Sequence, residues 1–343
     1  VANRKEVQRA GILEVARLAG VSRQTVTRAM NDMPGISVET KRRVLEAAEE
    51  LRYRPSRFGR ELVQQSTQSL GLIVSDLANP YFSELASEVA KVAAANGWAL
   101  VVVEKRPGPE SGRAELRSLA GQVDAIIAYL DLAPHDIDGI FGNLPLVLLD
   151  TSEQTLDALS PSRPRGAVSI DLAPGLTDAV DHLLALGRKR IALVDIMYST
   201  DESVRCGIFR ELIRERGQEP TVIKVEVAED DLHVGRRAVE VAFSAPEPPD
   251  AIIAFNDMSA FGVLKELRVR GLSVPETCCV IGIDGLKIGL FVDPELTTLR
   301  LDFAAFAQLA FDEAVQLSTT NVSSPLPQSR KRVFHELVVR QSG

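Results

Sequence analysis

Within "GVSRQTVTRAM", residues 20–30, two arginines, a glutamine and two threonines stand among a few small apolar residues. Arg and Gln carry forked donors that fit guanine and adenine edges in the major groove, each good bidentate pair being worth about 1–3 kcal/mol of base discrimination. Ser, Thr and Asn suit phosphate oxygens. Wound at about 100° per residue, Arg23, Gln24, Thr27, Arg28 and Asn31 fall in one arc, with Val26, Ala29 and Met30 opposite. Ser22 stands where its hydroxyl can cap the first turn. A solvated surface helix gives the same projection, so the surroundings decide.

Those surroundings are basic. Residues 1–62 hold 13 Lys or Arg against 8 Asp or Glu, whereas the remainder holds 26 against 39, within a chain of net charge −8. A basic head on an acidic body suggests that the head alone meets a polyanion. Before the quoted stretch, "ILEVARLAG" places Ile12, Val15, Ala16 and Ala19 at helical spacing, and Gly20 suits the left-handed residue past a helix end. Helix, glycine turn, helix is the helix-turn-helix pattern. A third helix is predicted in "SVETKRRVLEAAEELRY", capped by Ser37, with Val38, Val44, Leu45, Ala48 and Leu51 as its apolar stripe and an end near Tyr53. Polar "RPSRFGRELVQQSTQS" follows as a linker with one short amphipathic turn, marginal alone in water.

From Leu70 the rhythm changes. The runs "LGLIVSD", "WALVVVE", "VDAIIAYL" and "LPLVLLD", and after a Pro/Ser/Arg segment "RIALVD", "TVIKVEV", "DAIIAF" and "CCVIGID", alternate with helical patterns. Alternating strands and helices imply parallel sheets covered on both faces, and two such series imply two doubly wound lobes with a ligand cleft at the strand carboxyl ends. The 343 residues, 45% hydrophobic and 25% charged, suffice for such a core. No apolar run has the length of a membrane span and no secretion signal opens the chain. Cys206, Cys278 and Cys279 read as buried thiols in a reducing cytoplasm, since neighbours in a strand point to opposite faces. There is no Gly-rich phosphate loop after a strand, no Gly-x-Ser-x-Gly elbow and no metal spacing; His135, His182, His233 and His335 are scattered. These observations speak against an enzyme and call for no cofactor or metal.

"ILEVARLAGVSRQTVTRAMND" with "ISVETKRRVLEAAEELRYRP" resembles the DNA-binding head of the lactose/galactose repressor (LacI/GalR) family. "LGLIVSDLANPYFSELASEV", "HLLALGRKRIALV", "AFNDMSAFGVLKEL", "VPETCCVIGIDG" and "DPELTTLRLD" resemble its core motifs, in order, so that the likeness spans residues 11 to 340. The resemblance implies a bacterial transcription regulator, a repressor by preference, with an all-α helix-turn-helix head and an α/β sensor of two doubly wound parallel-sheet lobes of periplasmic-binding-protein type. It implies a DNA-binding domain at 1–54, a hinge helix and linker at 55–68, and a core at 69–343. Within the core the first lobe takes about 69–168 and 298–327, the second about 169–297 and 328–343.

By the same likeness Arg23, Gln24 and Arg28 read bases, while Ser22, Thr25, Thr27, Asn31 and Tyr53 lie at the phosphates. Leu62 is the hinge wedge in the minor groove at a central CG step, with Arg60 beside it, and such a wedge kinks the duplex. Asn79, Tyr81, Phe82, Asp171, Arg205, Asn256 and Asp284 would line an effector cleft suited to a sugar or related metabolite. Asp257, next in line, could instead cap the helix that follows. The chain ends at "VVRQSG" without the apolar heptad tail of tetrameric relatives, so a cytoplasmic homodimer on palindromic double-stranded DNA is expected.

Several positions depart from the family pattern. Asp230 occupies a usual stacking aromatic's place; Phe255 precedes "ND" where a small residue is usual; Leu172 replaces a polar residue; the glycine of "VRCGIF" is displaced to Gly207. Phe255 could supply the missing platform or fill the cleft, which keeps open a regulator with no small-molecule effector. In the hinge Gly59 replaces alanine, which should cost the helix about 1 kcal/mol, and Glu61 adds negative charge beside DNA. Hinge folding should therefore couple weakly to DNA binding, and Gly59→Ala should tighten operator binding in a titration; unchanged affinity would refute this. A free-standing sugar-binding protein is the other alternative, and it leaves the basic head unexplained.

Overall fold

The computed structural model describes residues 11–30, 33–51, 53, 68–105, 109–197, 203–226, 231–319 and 329–343. Asn31, Arg60 and Leu62 lie outside these residues, as do Gly59, Glu61 and Asp230. The chain divides into two compact units, residues 1–68 and 69–343.

The first unit holds α1 (Ile12–Ala19), α2 (Arg23–Met30) and α3 (Val38–Glu50). Gly20 takes φ +65°, and the Val21 N–H behind it reaches the Ala16 carbonyl at 3.0 Å, which ends α1 and turns the chain into α2. Ser22 Oγ accepts the Thr25 N–H at 3.1 Å, as the sequence predicts for a cap. Val15, Ala16, Ala19, Val26, Ala29, Val44, Ala47 and Ala48 form the core. Its small residues let three short helices approach closely. Two residues of the expected α3 stripe belong elsewhere: Val38 is 87% exposed and Leu45 is exposed, while Ala47 is buried. The inward spacing is 44, 47, 48 and 51, which Val38 and Leu45 do not share.

The second unit is built on strands β1 (Ser69–Val74), β2 (Ala99–Glu104), β3 (Ala125–Ala128), β4 (Leu146–Leu149), β5 (Arg165–Asp171), β6 (Ile191–Met197), β7 (Thr221–Glu226), β8 (Ala251–Ile253), β9 (Cys279–Asp284), β10 (Thr297–Leu301) and β11 (Ser329–Val338). Their order is β2-β1-β3-β4-β5-β11-β10-β9-β8-β6-β7. All these pairs are parallel except β10 with β11. Each half repeats one doubly wound order, reversing at β1/β3 and at β6/β8, and such reversals open a crevice beyond the strand carboxyl ends. Two apolar clusters cover the first half and two the second. Cys278 and Cys279 enter different clusters of the second half, and neither they nor buried Cys206 take part in a disulfide.

The chain crosses between lobes three times, each time a few residues later than the sequence suggests. β5 stays beside β4 through Val168 and beside β11 through Asp171; β10 belongs to the second sheet through its pairing with β9. β11 is shared: Ser329–Phe334 pairs with β5, and His335–Val338 pairs with β10. By these pairings residues 169–171 and 329–334 run with the first sheet and 298–301 with the second. Lobe membership follows the neighbour across the ladder, which a strand's own residues do not name.

Candidate functional sites

On α2, Arg23, Gln24 and Arg28 are exposed, as is Ser22 before it; Thr25 and Thr27 are half-buried. Val26 and Ala29 face the core and Met30 packs against it, so the arc drawn from sequence is the outer face of the folded unit. Ser22 and Thr25 share a hydroxyl–hydroxyl bond of 2.9 Å, and Thr27 Oγ1 donates to the Arg23 carbonyl at 3.1 Å. These bonds fix three short side chains around the first turn. Tyr53 packs against the same core, where burial raises its hydroxyl pKa and nearby Arg23 opposes the rise. Arg43 donates to the Ala19 carbonyl at 2.9 Å, tying α3 to the end of α1 and so holding α2 between them.

The cleft of the second unit is assembled from strand ends. α4 (Pro80–Ala95) begins after β1, capped by Asn79, whose Oδ1 accepts the Tyr81 N–H at 3.0 Å. Tyr81 and Phe82 join Tyr129 and Phe303 in an aromatic cluster with edge-on contacts of 5.1–6.0 Å, and the Tyr81 and Tyr129 hydroxyls meet at 2.5 Å. Burial raises both phenol pKa values, and nearby Asp150 and Asp284 add to the rise.

From the second lobe, α9 (Val204–Glu215) supplies Arg205. Its Nη1 donates to the Phe255 carbonyl, and its guanidinium lies 4.1 Å from the Phe255 ring centroid. Burial lowers the Arg205 pKa, opposed by Asp195, Asp284 and Asp150 in that order. The Phe255 ring is thus stacked by the guanidinium of Arg205, a residue of its own lobe. Asn256 caps α11 (Asp257–Val269) through Ser259, with bonds of 2.8 and 2.9 Å. The capping role suggested for Asp257 is thus taken by Asn256. Asp257 is fully buried, accepting from the Thr298 hydroxyl at 2.6 Å and the Leu286 N–H at 2.7 Å, and burial pushes its pKa up to about 7. Asp284 closes β9 with φ +126°, and burial and Asp257 hold its carboxyl well above the usual range against the pull of Arg205.

Asp171 is used locally: its carboxylate accepts the Ala173 N–H at 3.1 Å, starting α8 (Ala173–Ala185). The first-lobe carboxylate that acts on Arg205 is instead Asp150, at the end of β4, with φ +48°. Sequence reading passed over Asp150, Asp195, Tyr129, Phe303 and Asp231, and took His335 only as one of the scattered histidines. For Asp150 a signal was available, because "LPLVLLD" ends an apolar run in a carboxylate where a doubly wound fold opens its cleft. Asp231 begins α10 (Asp231–Ala242) and accepts from Asn79 Nδ2 at 3.4 Å and Asn256 Nδ2 at 2.7 Å. His335 and Asp195 are buried, and His335 Nδ1 and Asp195 Oδ1 have no hydrogen-bond partner among the described residues. Cys206 Sγ donates to the other Asp195 oxygen at 3.1 Å. Among the described residues no group of His, Cys, Asp and Glu is placed to hold a metal, and no helix is long and apolar enough to cross a membrane.

A helix-turn-helix unit with an exposed basic and polar helix, on one chain with a two-lobed α/β unit whose strand ends bring polar side chains together, defines the class of DNA-binding transcription regulators with a sensor core. Residues 11–56 match the lacI family of bacterial regulatory proteins, and residues 180–343 match the periplasmic binding protein-like domain. The chain is 30% identical over 340 residues to the HTH-type transcriptional regulator AscG of Escherichia coli (strain K12), covering 96% of this chain and 99% of that one. A LacI family transcriptional regulator from Arthrobacter sp. FB24, solved in complex with lactose, is 32% identical with a TM-score of 0.69, over 80% of this chain and 99% of that one. The lac repressor dimer bound to operator and the anti-inducer ONPF is 26% identical with a TM-score of 0.76, over 98% and 99%. This chain belongs to the LacI family, and it is a sequence-specific DNA-binding regulator of transcription.

Proposed function

We propose that the chain acts as a homodimeric repressor on a palindromic operator with a central CG step, and that a neutral, sugar-like effector in the cleft sets its operator affinity. Arg23, Gln24 and Arg28 read bases; Ser22, Thr25, Thr27, Asn31 and Tyr53 hold phosphates; Leu62 and Arg60 act in the minor groove. The observation that carries the DNA half is α2 itself: Arg23, Gln24 and Arg28 are all exposed, while Val26 and Ala29 are sealed inside.

For the cleft, Asn79, Tyr81, Phe82, Asp171, Arg205, Phe255, Asn256 and Asp284 remain the proposed lining, with Asp150 added. Carboxylates accept from hydroxyls, an arginine donates, and aromatic faces cover the apolar side of a sugar ring. Asp150, Asp231 and Asp284 offer acceptor oxygens beside Arg205, which suit a ligand's hydroxyl donors rather than an anion. Lactose in the Arthrobacter relative supports the sugar reading. The effector can move the operator equilibrium only by binding the two lobe arrangements unequally.

The test is selection of duplexes from a random-sequence pool by the full-length protein at near-physiological salt. Enrichment of a palindrome with a central CG step supports the head and hinge assignments and supplies the probe for an effector screen. Only weak, unselective, steeply salt-dependent binding would overturn operator reading by the ligand-free protein.

A further inference from the structure

Two carboxamides face one another across the cleft, and each is oriented by its own helix. The Oδ1 of Asn79 is committed to the Tyr81 N–H at 3.0 Å, and the Oδ1 of Asn256 to the Ser259 N–H at 2.8 Å. Each cap thus turns the Nδ2 of its side chain toward Asp231. Both nitrogens donate to one atom, Asp231 Oδ2, at 3.4 and 2.7 Å. Swapping O and N in either amide would set an NH2 against a backbone N–H, so the caps fix the assignment. Asn79 follows β1 of the first lobe; Asn256 and Asp231 follow β8 and β7 of the second. A second polar tie joins the lobes, from the Lys287 N–H to Glu84 Oε1 at 3.1 Å.

We propose that Asp231 is the latch of the cleft. Its carboxylate occupies the donors of both carboxamides and draws the lobes together; a ligand that uses those donors must displace it. Closure itself does not depend on the proposed effector, and only the displacement step rests on that reading. Asp231 thereby selects for ligands that can compete with an internal carboxylate for two N–H donors without carrying a charge that it repels.

The experiment is the distribution of distances between spin labels on the full-length protein at Lys91→Cys and Lys265→Cys, one exposed position on each lobe. Labelled chains are diluted into unlabelled ones, with neither DNA nor sugar present. Asn79→Asp retains the helix cap, since Asp caps as well as Asn, but sets two carboxylates face to face. The distance should lengthen. Adding Asp231→Asn returns a donor to the carboxylate introduced at position 79 and still offers Asn256 an oxygen, so the double variant should recover the closed distance. An unchanged distance in Asn79→Asp, or a double variant that stays open, would overturn the latch; a thermal melt of each variant separates opening from unfolding. Because no effector is involved, a failed sugar screen leaves this result standing.

Discussion

At the scale of single residues, the sites divide into side chains free to meet a partner and side chains already engaged by the fold. Arg23, Gln24 and Arg28 belong to the first group. Arg28→Ala should weaken operator binding by about 1–3 kcal/mol, roughly 5- to 150-fold, and relax preference at one base pair. Anisotropy titrations against the selected operator and its single-base variants check both; uniform weakening across all sequences would make Arg28 a phosphate contact instead. His335 belongs to the second group. Burial, helped by Arg205, lowers its pKa to about 4. The unfolded chain takes up this proton near pH 6.5, the folded one only near 4, so protonation favours unfolding between those values. Stability should fall by up to about 3 kcal/mol as pH drops through that window. Asp257, raised to about 7, contributes the opposite slope, so the readout is the difference in denaturant unfolding between the parent and His335→Phe from about pH 7 to about pH 4. A pH-independent difference would refute the assignment.

At the scale of elements, the cleft depends on helices that cross closely. Gly235 of α10 and Gly262 of α11 meet backbone to backbone: a Cβ at Gly235 would lie 1.9 Å from the Ser259 carbonyl oxygen, and one at Gly262 would lie 2.2 Å from that of Leu232. These helices begin with Asp231 and follow Asn256, so their spacing sets the distance between latch and carboxamide. Gly235→Ala or Gly262→Ala should cost about 1–3 kcal/mol or more through forced separation, seen as a lower midpoint in urea. A midpoint at or above the parent's would mean that the crossing tolerates a methyl group. In the head the same economy is reached with alanines, where Ala16, Ala19, Ala29, Ala47 and Ala48 line the joints of three short helices.

At the scale of the whole molecule, the proposed dimer and the two-lobed core supply the regulation that no single element can. Two heads on one palindrome predict one duplex bound per two chains. Sedimentation of the protein with its selected duplex should give that ratio; one chain per duplex at saturation would remove the palindrome argument. Three crossovers join the lobes, and at β11 the change from one sheet to the other falls between Phe334 and His335. That placement sets the buried ring of His335 at one of the crossovers that join the lobes.

Much of this was determined by the sequence alone. Helical spacing around Gly20 dictated three helices and the outward face of α2, because a short helix must turn its apolar side to its neighbours to exist in water. Alternating apolar runs and helical patterns dictated doubly wound lobes, and family motifs are what put Arg205, Asn256 and Asp284 forward for the cleft. Tertiary structure decided the rest. Val38 and Leu45 are apolar yet exposed, because one residue's place on a helix does not say what lies opposite. Asp171 and Asp150 both end strands, and only the packing sets Asp150 against Arg205 while Asp171 closes a turn. Asp231 offered no motif at all. Its role depends on three chain segments, at residues 79, 231 and 256, meeting at one oxygen, and such contacts are fixed by how lobes pack rather than by any local pattern.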